Sequence, residues 1–318
     1  MQTPYSLFQT LLGIWSIDPH YAIQMWNIVN DRLRGDIEQS AEPKYMLPFA
    51  MYGDESFMAA AAYSGEGSVY DSVPKGSVAI IPVMGVMTKQ DQFCGPVGMA
   101  TVGARLLEAD AHKNIAGSVV LYESGGGQID AIHPLTSSIK QAKKPVNGVC
   151  DSLLGSAALI SSAFCNQTFA THDMCRIGSL GVMGMFENRE QWYKEKGITL
   201  HSYRSTYSYN KNKNELEAIA GNGELIRNNV LDKYARNYIN QHAQLRGGKL
   251  RDNAADFISK VDAGKIDEIN ADNVFSGEMF LANECTPSGN GLIDGIMSLA
   301  DVVKLTADMA KNRVIINL

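Results

Sequence analysis

The sequence predicts an α/β fold: a mostly parallel sheet with crossover helices, an N-terminal helical arm and C-terminal helices. Three observations predict it. From Gly76 onward, short apolar runs of strand type alternate with amphipathic segments of helical period. One such run, residues 117–122 (GSVVLY), has no charged residue and is mainly apolar, as a strand buried on both faces requires. After a polar loop, long helical patterns follow at about 222–246 and 250–264, with a final one near 297–311.

Residues 5–35 have helical periodicity. Asp18-Pro19 reads as a helix start, an acid at the cap followed by proline at the first helical position. Ile23, Trp26, Ile28, Val29 and Leu33 then form an apolar stripe that ends before Gly35. Residues 36–75 lose any steady period and read as an extended arm or linker. The division expected is therefore 1–75, helical segment and linker, and 76–318, the main domain.

Within that domain, 77–83 is a strand, 98–112 a helix, 117–122 a strand and 128–142 a helix. Residues 145–150 form a short strand that runs into a small-residue elbow at Gly155-Ser156-Ala157-Ala158 and an apolar helix. Strands at 167–171 and 198–203 flank an exposed helix at 187–196. A polar loop covers 205–214, and helices follow at about 222–246, 250–264 and 297–311.

Composition narrows the function classes. The formal net charge is −6, with 19% charged residues, which argues against nucleic acid as the main partner. Five cysteines occur at scattered spacing with no CxxC pair, so a zinc site is not expected and the thiols read as reduced. No stretch approaches the roughly 20 apolar residues of a membrane span. The N-terminus lacks the basic and apolar regions of a secretory signal. A cytoplasmic protein that binds no cofactor and no metal is expected.

Four segments carry candidate chemistry. Glu123-Ser124-Gly125-Gly126-Gly127 follows a strand, and glycines there let backbone N–H groups approach a ligand. The segment has neither the lysine of a P-loop nor the Gly-x-Gly-x-x-Gly spacing, so an oxyanion hole and a plain turn are the remaining readings. Ser156 sits at a strand-to-helix elbow, where a hydroxyl stands beside first-turn N–H groups that have no intrahelical acceptor; a helix cap is its ordinary alternative. Gly178-Ser179-Leu180-Gly181-Val182 reads as an edge along which an extended peptide pairs, or as a simple glycine loop. Lys211 and Lys213 lie in the polar loop; a lysine serves as general base only where burial lowers its pKa from about 10.4. Of the six histidines, only His172-Asp173 offers a competing base.

These segments, in this order, resemble the signal peptide peptidase A family and its relatives, the phage capsid maturation proteases. Glu123-Ser124-Gly125-Gly126-Gly127 stands where the family has Asp-Ser-Pro-Gly-Gly. Gly155-Ser156-Ala157 resembles its nucleophile motif, and Gly178-Ser179-Leu180-Gly181-Val182 its Gly-Ser-Ile-Gly-Val. Lys196-Gly197-Ile198-Thr199 resembles the stretch before the catalytic lysine, and Gly291-Leu292-Ile293-Asp294 resembles Gly-Leu-Val-Asp. The resemblance spans roughly residues 76–310.

It implies a ClpP/crotonase-like fold with a repeated β-β-α core and a serine peptidase using a Ser-Lys dyad. Ser156 is then the nucleophile. The oxyanion donors are Ala157 with Gly126 or Gly127, and Gly178 to Gly181 contact substrate. In an ungapped match from Gly197 the family's lysine falls on Tyr209, a two-residue shift gives Lys211 and a longer one Lys213. Lys211 is the expected base, with Lys213 in reserve. The opening Ile14-Trp15-Ser16-Ile17-Asp18-Pro19 is closer to the phage-type members, which implies a capsid or scaffold polypeptide as substrate and a homo-oligomeric ring, in the host cytoplasm or the procapsid. Two other readings are a crotonase-type acyl-CoA enzyme and a catalytically inactive relative within a capsid assembly.

Overall fold

The computed structural model describes residues 14–17, 47–58, 68–91 and 96–316. The expected helix at 18–35 and the thiol of Cys94 lie outside them. Strands β1 (Ile14–Ile17), β2 (Phe49–Tyr52), β3 (Glu55–Met58) and β4 (Ser77–Met84) come first. Helix α1 (Met99–Ala111), strands β5 (Ile115–Ser124) and β6 (Gly126–Gln128), helix α2 (Ile129–Gln141), strand β7 (Val146–Gly155) and helix α3 (Ala157–Ser162) follow.

Beyond them lie β8 (Thr168–Ala170), β9 (Arg176–Gly178), β10 (Met183–Gly184), and helices α4 (Glu190–Glu195) and α5 (Lys213–Ile219). A helical turn and a π-helical segment (Arg227–Leu231) lead into α6 (Asp232–Arg246). Helix α7 (Ala254–Asp262), strands β11 (Met279–Leu281) and β12 (Gly295–Ile296) and helix α8 (Leu299–Ile316) complete the chain.

The central sheet runs in the order β11-β9-β7-β5-β4-β2-β3, with β8 and β12 attached beside β7. The pairs β4–β5, β5–β7, β7–β8 and β7–β9 are all parallel. The molecule is thus a mixed α/β protein with a mostly parallel central sheet. Its strands are apolar on both faces because helices cover both. Ala79, Ile81, Val83 and Val120 face α1, α2 and α3, packing with Val102, Leu106, Leu135 and Leu159. Their alternates Val78, Ile80, Val119 and Leu121 face α8 through Val302 and Val303. The period of two sorts one strand's side chains into two cores.

Strand β7 forks. Its first half, Gly148 to Cys150, pairs with β8, and its last three residues, Leu153 to Gly155, pair with β9. The register against β5 shifts between Tyr122 and Ser124 to accommodate the change. The fork carries the end of β7 away from the first sheet direction and delivers the elbow into the groove between β6 and β9.

Three expectations change. Within the 36–75 arm, β2 and β3 form a hairpin that pairs antiparallel with β4. Residues 198–203 form no strand; Leu200 and Tyr203 are exposed, and no strand among the described residues lies beside them, so their apolar alternation has no ladder to join. Residues 14–17, read from the sequence as part of a helical stretch, form β1 instead. It pairs antiparallel with both β6 and β10 in a small separate sheet.

Candidate active site

Ser156 occupies the elbow between β7 and α3. Its backbone has φ 53° and ψ −113°, a region that non-glycine residues seldom adopt. Three contacts hold it there. Its N–H donates to the Gly178 carbonyl at 2.8 Å, its carbonyl accepts from the Ile160 N–H at 2.9 Å, and Gly155 abuts Gly125. A Cβ added to Gly155 would lie 3.2 Å from the Gly125 Cα, so both small residues are needed for the approach. The Ser156 Oγ lies 3.5 Å from the Gly181 carbonyl.

The side chain faces a cavity of about 530 Å³ lined by Leu180, Val182, Met183, Ile239, Phe257 and Phe275, among others. Elements distant in sequence build it: the 178–183 loop on one side, α6 and α7 on the other. The rim carries Asp232 and a bidentate Arg236–Asp262 ion pair that clasps α6 to α7. The carboxyl of Asp262 is held below its ordinary range, chiefly by that hydrogen bond.

Helix α6 is anchored at its far end by a buried cluster. Arg246 donates to the Asp294 carboxylate at 2.9 Å and to the Gly291 carbonyl at 2.8 Å and 3.1 Å. Lys249 and the Thr168 N–H donate to the same carboxylate. Burial opposes ionisation of Asp294, but the bonds from Arg246, Lys249 and Thr168 outweigh it and its pKa is lowered. The Gly-Leu-Ile-Asp segment is therefore a structural tie that fixes the cavity wall.

The chain matches no model of a known protein family. No curated protein matches it either.

The geometry of the site brings together Ser156, Ala157, Gly178, Ser179, Leu180 and Gly181. Ala157 opens α3, so its N–H is among the first-turn donors that a helix leaves without an internal acceptor. Gly178 (φ 145°) is pressed against the chain; a Cβ there would lie 2.2 Å from the Glu278 carbonyl oxygen. Strand β9 is already paired on both sides, by β7 and β11, so the peptide-pairing edge expected at 178 is not open there. Ser179 (φ 55°), Leu180 and Gly181 instead wrap the cavity beside Ser156.

The glycine loop departs from its expected role. The Gly126 N–H donates to Ser124 Oγ at 3.1 Å. Hydrogen bonds from Met87 N–H to the Gly126 carbonyl and from Gln128 N–H to the Met87 carbonyl hold one side of β6. They turn the N–H and carbonyl of Gly127 to the other side, toward β1. The Gly126 N–H is thus bonded within its own loop, and the Gly127 N–H is directed to β1. Gly125, which sequence reasoning did not single out, is the glycine that touches the elbow.

Lys211 and Lys213 are both exposed, and neither lines the cavity. Lys211 closes a turn after Ser208, and Lys213 opens α5. His172 and Asp173 are exposed and also lie outside the cavity lining. Cys150, Cys165, Cys175 and Cys285 are free thiols. A side-chain hydrogen bond with Cys150 brings the Cys175 thiol down to about 6. It is buried in the β7 fork and does not line the cavity.

Proposed function

We propose that this chain is a serine endopeptidase of the Ser-Lys type with a ClpP/crotonase-like core, similar to the phage capsid maturation branch of the signal peptide peptidase A family. The observation that carries the reading is the backbone of Ser156. A serine kept at positive φ on a strand-to-helix elbow, beside the Ala157 N–H and facing an apolar cavity, is built at a cost of about 1–3 kcal/mol. A helix cap needs no such strain.

In this mechanism a neutral lysine amine takes the Ser156 proton as Oγ attacks the scissile carbonyl. The Ala157 N–H stabilises the oxyanion, a donor of a kind worth about 10²–10³ in rate. The lysine then protonates the leaving amine, and water releases the acyl-enzyme. Because Lys211 and Lys213 are exposed in the single chain, neither is desolvated there as a base must be. The arm around them exposes Trp192, Leu200, Tyr203, Tyr207 and Tyr209. So much exposed apolar surface suits contact with further copies of the chain. A homo-oligomer buries the arm and delivers a lysine to a cavity, and the substrate is an extended capsid or scaffold polypeptide.

The test is labelling by a small fluorophosphonate in the assembled protein. Labelling at Ser156 that is lost in Ser156→Ala and reduced at least about 100-fold in Lys211→Ala supports the dyad. Loss in Lys213→Ala alone moves the base to Lys213. The exposure of both lysines also favours a second reading, an inactive structural component; absence of labelling together with normal assembly of Ser156→Ala selects it.

A further inference from the structure

Strand β1 lies between two short strands, β6 and β10. It is antiparallel to both. Trp15, Ser16 and Ile17 pair with Gln128, Gly127 and Gly126, while Ile14 and Trp15 pair with Gly184 and Met183. The Gly127 backbone groups that turn away from Met87 face this strand.

Ile17 is paired with Gly126, and on the other flank the chain leads from Met183 back through Val182 to Gly181. Both flanks lead to the nucleophile. Gly181 presents its carbonyl 3.5 Å from the Ser156 Oγ, and Gly126 follows Gly125, which touches Gly155. The segment 14–17 therefore enters between the two loops at Met183–Gly184 and runs toward Ser156. An extended polypeptide bound by strand addition has this geometry: main-chain pairing on both edges and the next peptide bond delivered to the elbow.

Resting on the peptidase reading above, we infer that Ile14–Ile17 is an internal pseudosubstrate, which fills the peptide-binding strand position and must leave before a polypeptide substrate enters. Substrates then pair antiparallel to Gly126–Gln128 and Met183–Gly184.

The experiment uses the full chain and Ser16→Pro. Proline removes the Ser16 N–H from a strand paired on both sides. Two readouts are taken. Hydrogen exchange of the Gly127 and Met183 amides, the ones turned toward β1, rises at least about 10-fold in Ser16→Pro if β1 covers them. Labelling of Ser156 by an Ile-Trp-Ser-Ile peptidyl phosphonate, which needs those edges, accelerates by a similar factor, while labelling by a small non-peptidic fluorophosphonate does not change. Unchanged exchange overturns the placement of the strand. Raised exchange with unchanged peptidyl labelling overturns its inhibitory role. If the small fluorophosphonate labels neither protein, the peptidase reading fails, and the pseudosubstrate role fails with it, while the exchange result still decides where the strand lies.

Discussion

At the scale of single residues, Ser156 pays for its position in backbone strain, and that strain is measurable. Glycine adopts φ 53°, ψ −113° without a Cβ clash, whereas alanine keeps the clash and loses the hydroxyl. Ser156→Gly is expected to be more stable than Ser156→Ala by about 1 kcal/mol in urea denaturation, with labelling abolished in both. The reverse order would mean that the elbow is not strained. The elbow at this residue was legible in the sequence because a strand pattern, a run of small residues and an apolar helix pattern follow one another there. Lys211 was not: a Lys-Asn-Lys loop has the same composition whether it ends in solvent or in a neighbour's cavity. Ile14 to Ile17 escaped for another reason. Their partners are glycines and a two-residue strand, which carry no hydrophobic pattern, and the surrounding stretch has helical period.

At the scale of elements, α6 decides the shape of the cavity and is held by unequal ties. Arg236 and Asp262 are both about half exposed, so their ion pair contributes little to stability. Arg246 and Asp294 are only 5% and 7% exposed. Removing the carboxylate leaves a buried guanidinium without its counter-charge, at a cost of about 3–5 kcal/mol. Asp294→Ala should lose that amount in urea denaturation, and Lys249→Ala, whose partner keeps Arg246, less than about 1 kcal/mol. Equal losses would show that the tie is not centred on Arg246. The strands and helices themselves were mostly readable from their period: β4, β5, α1 and α2 fall within two residues of expectation. The fork of β7 was not readable, since one continuous strand sequence serves two partners and nothing in it marks the switch.

At the scale of the whole molecule, one buried imidazole makes stability depend on pH. His242 on α6 is fully buried, and among the described residues neither ring nitrogen has a hydrogen-bond partner. Burial, aided by the charge of Arg246, brings its pKa down to about 3 from 6.5. Between those values the unfolded chain holds a proton that the folded chain refuses, so stability falls as the pH falls from 6.5 toward 3. Between pH 6.5 and 4.5 the loss is roughly 2–3 kcal/mol. His242→Leu should flatten this part of the curve in chemical denaturation; an unchanged slope would show that the imidazole finds a partner.

The placement of α8 has a consequence in time. The sheet face made by Val78, Ile80, Val119 and Leu121 is covered by Val302 and Val303, some 180 residues further along the chain. At roughly 5–20 residues per second, a ribosome leaves that face bare for about 10–35 s after its last strand residue is made. The other face acquires α1 and α2 almost at once. During synthesis the nascent chain therefore shows one finished side and one adhesive side, and chaperone capture should concentrate on the side that waits for α8.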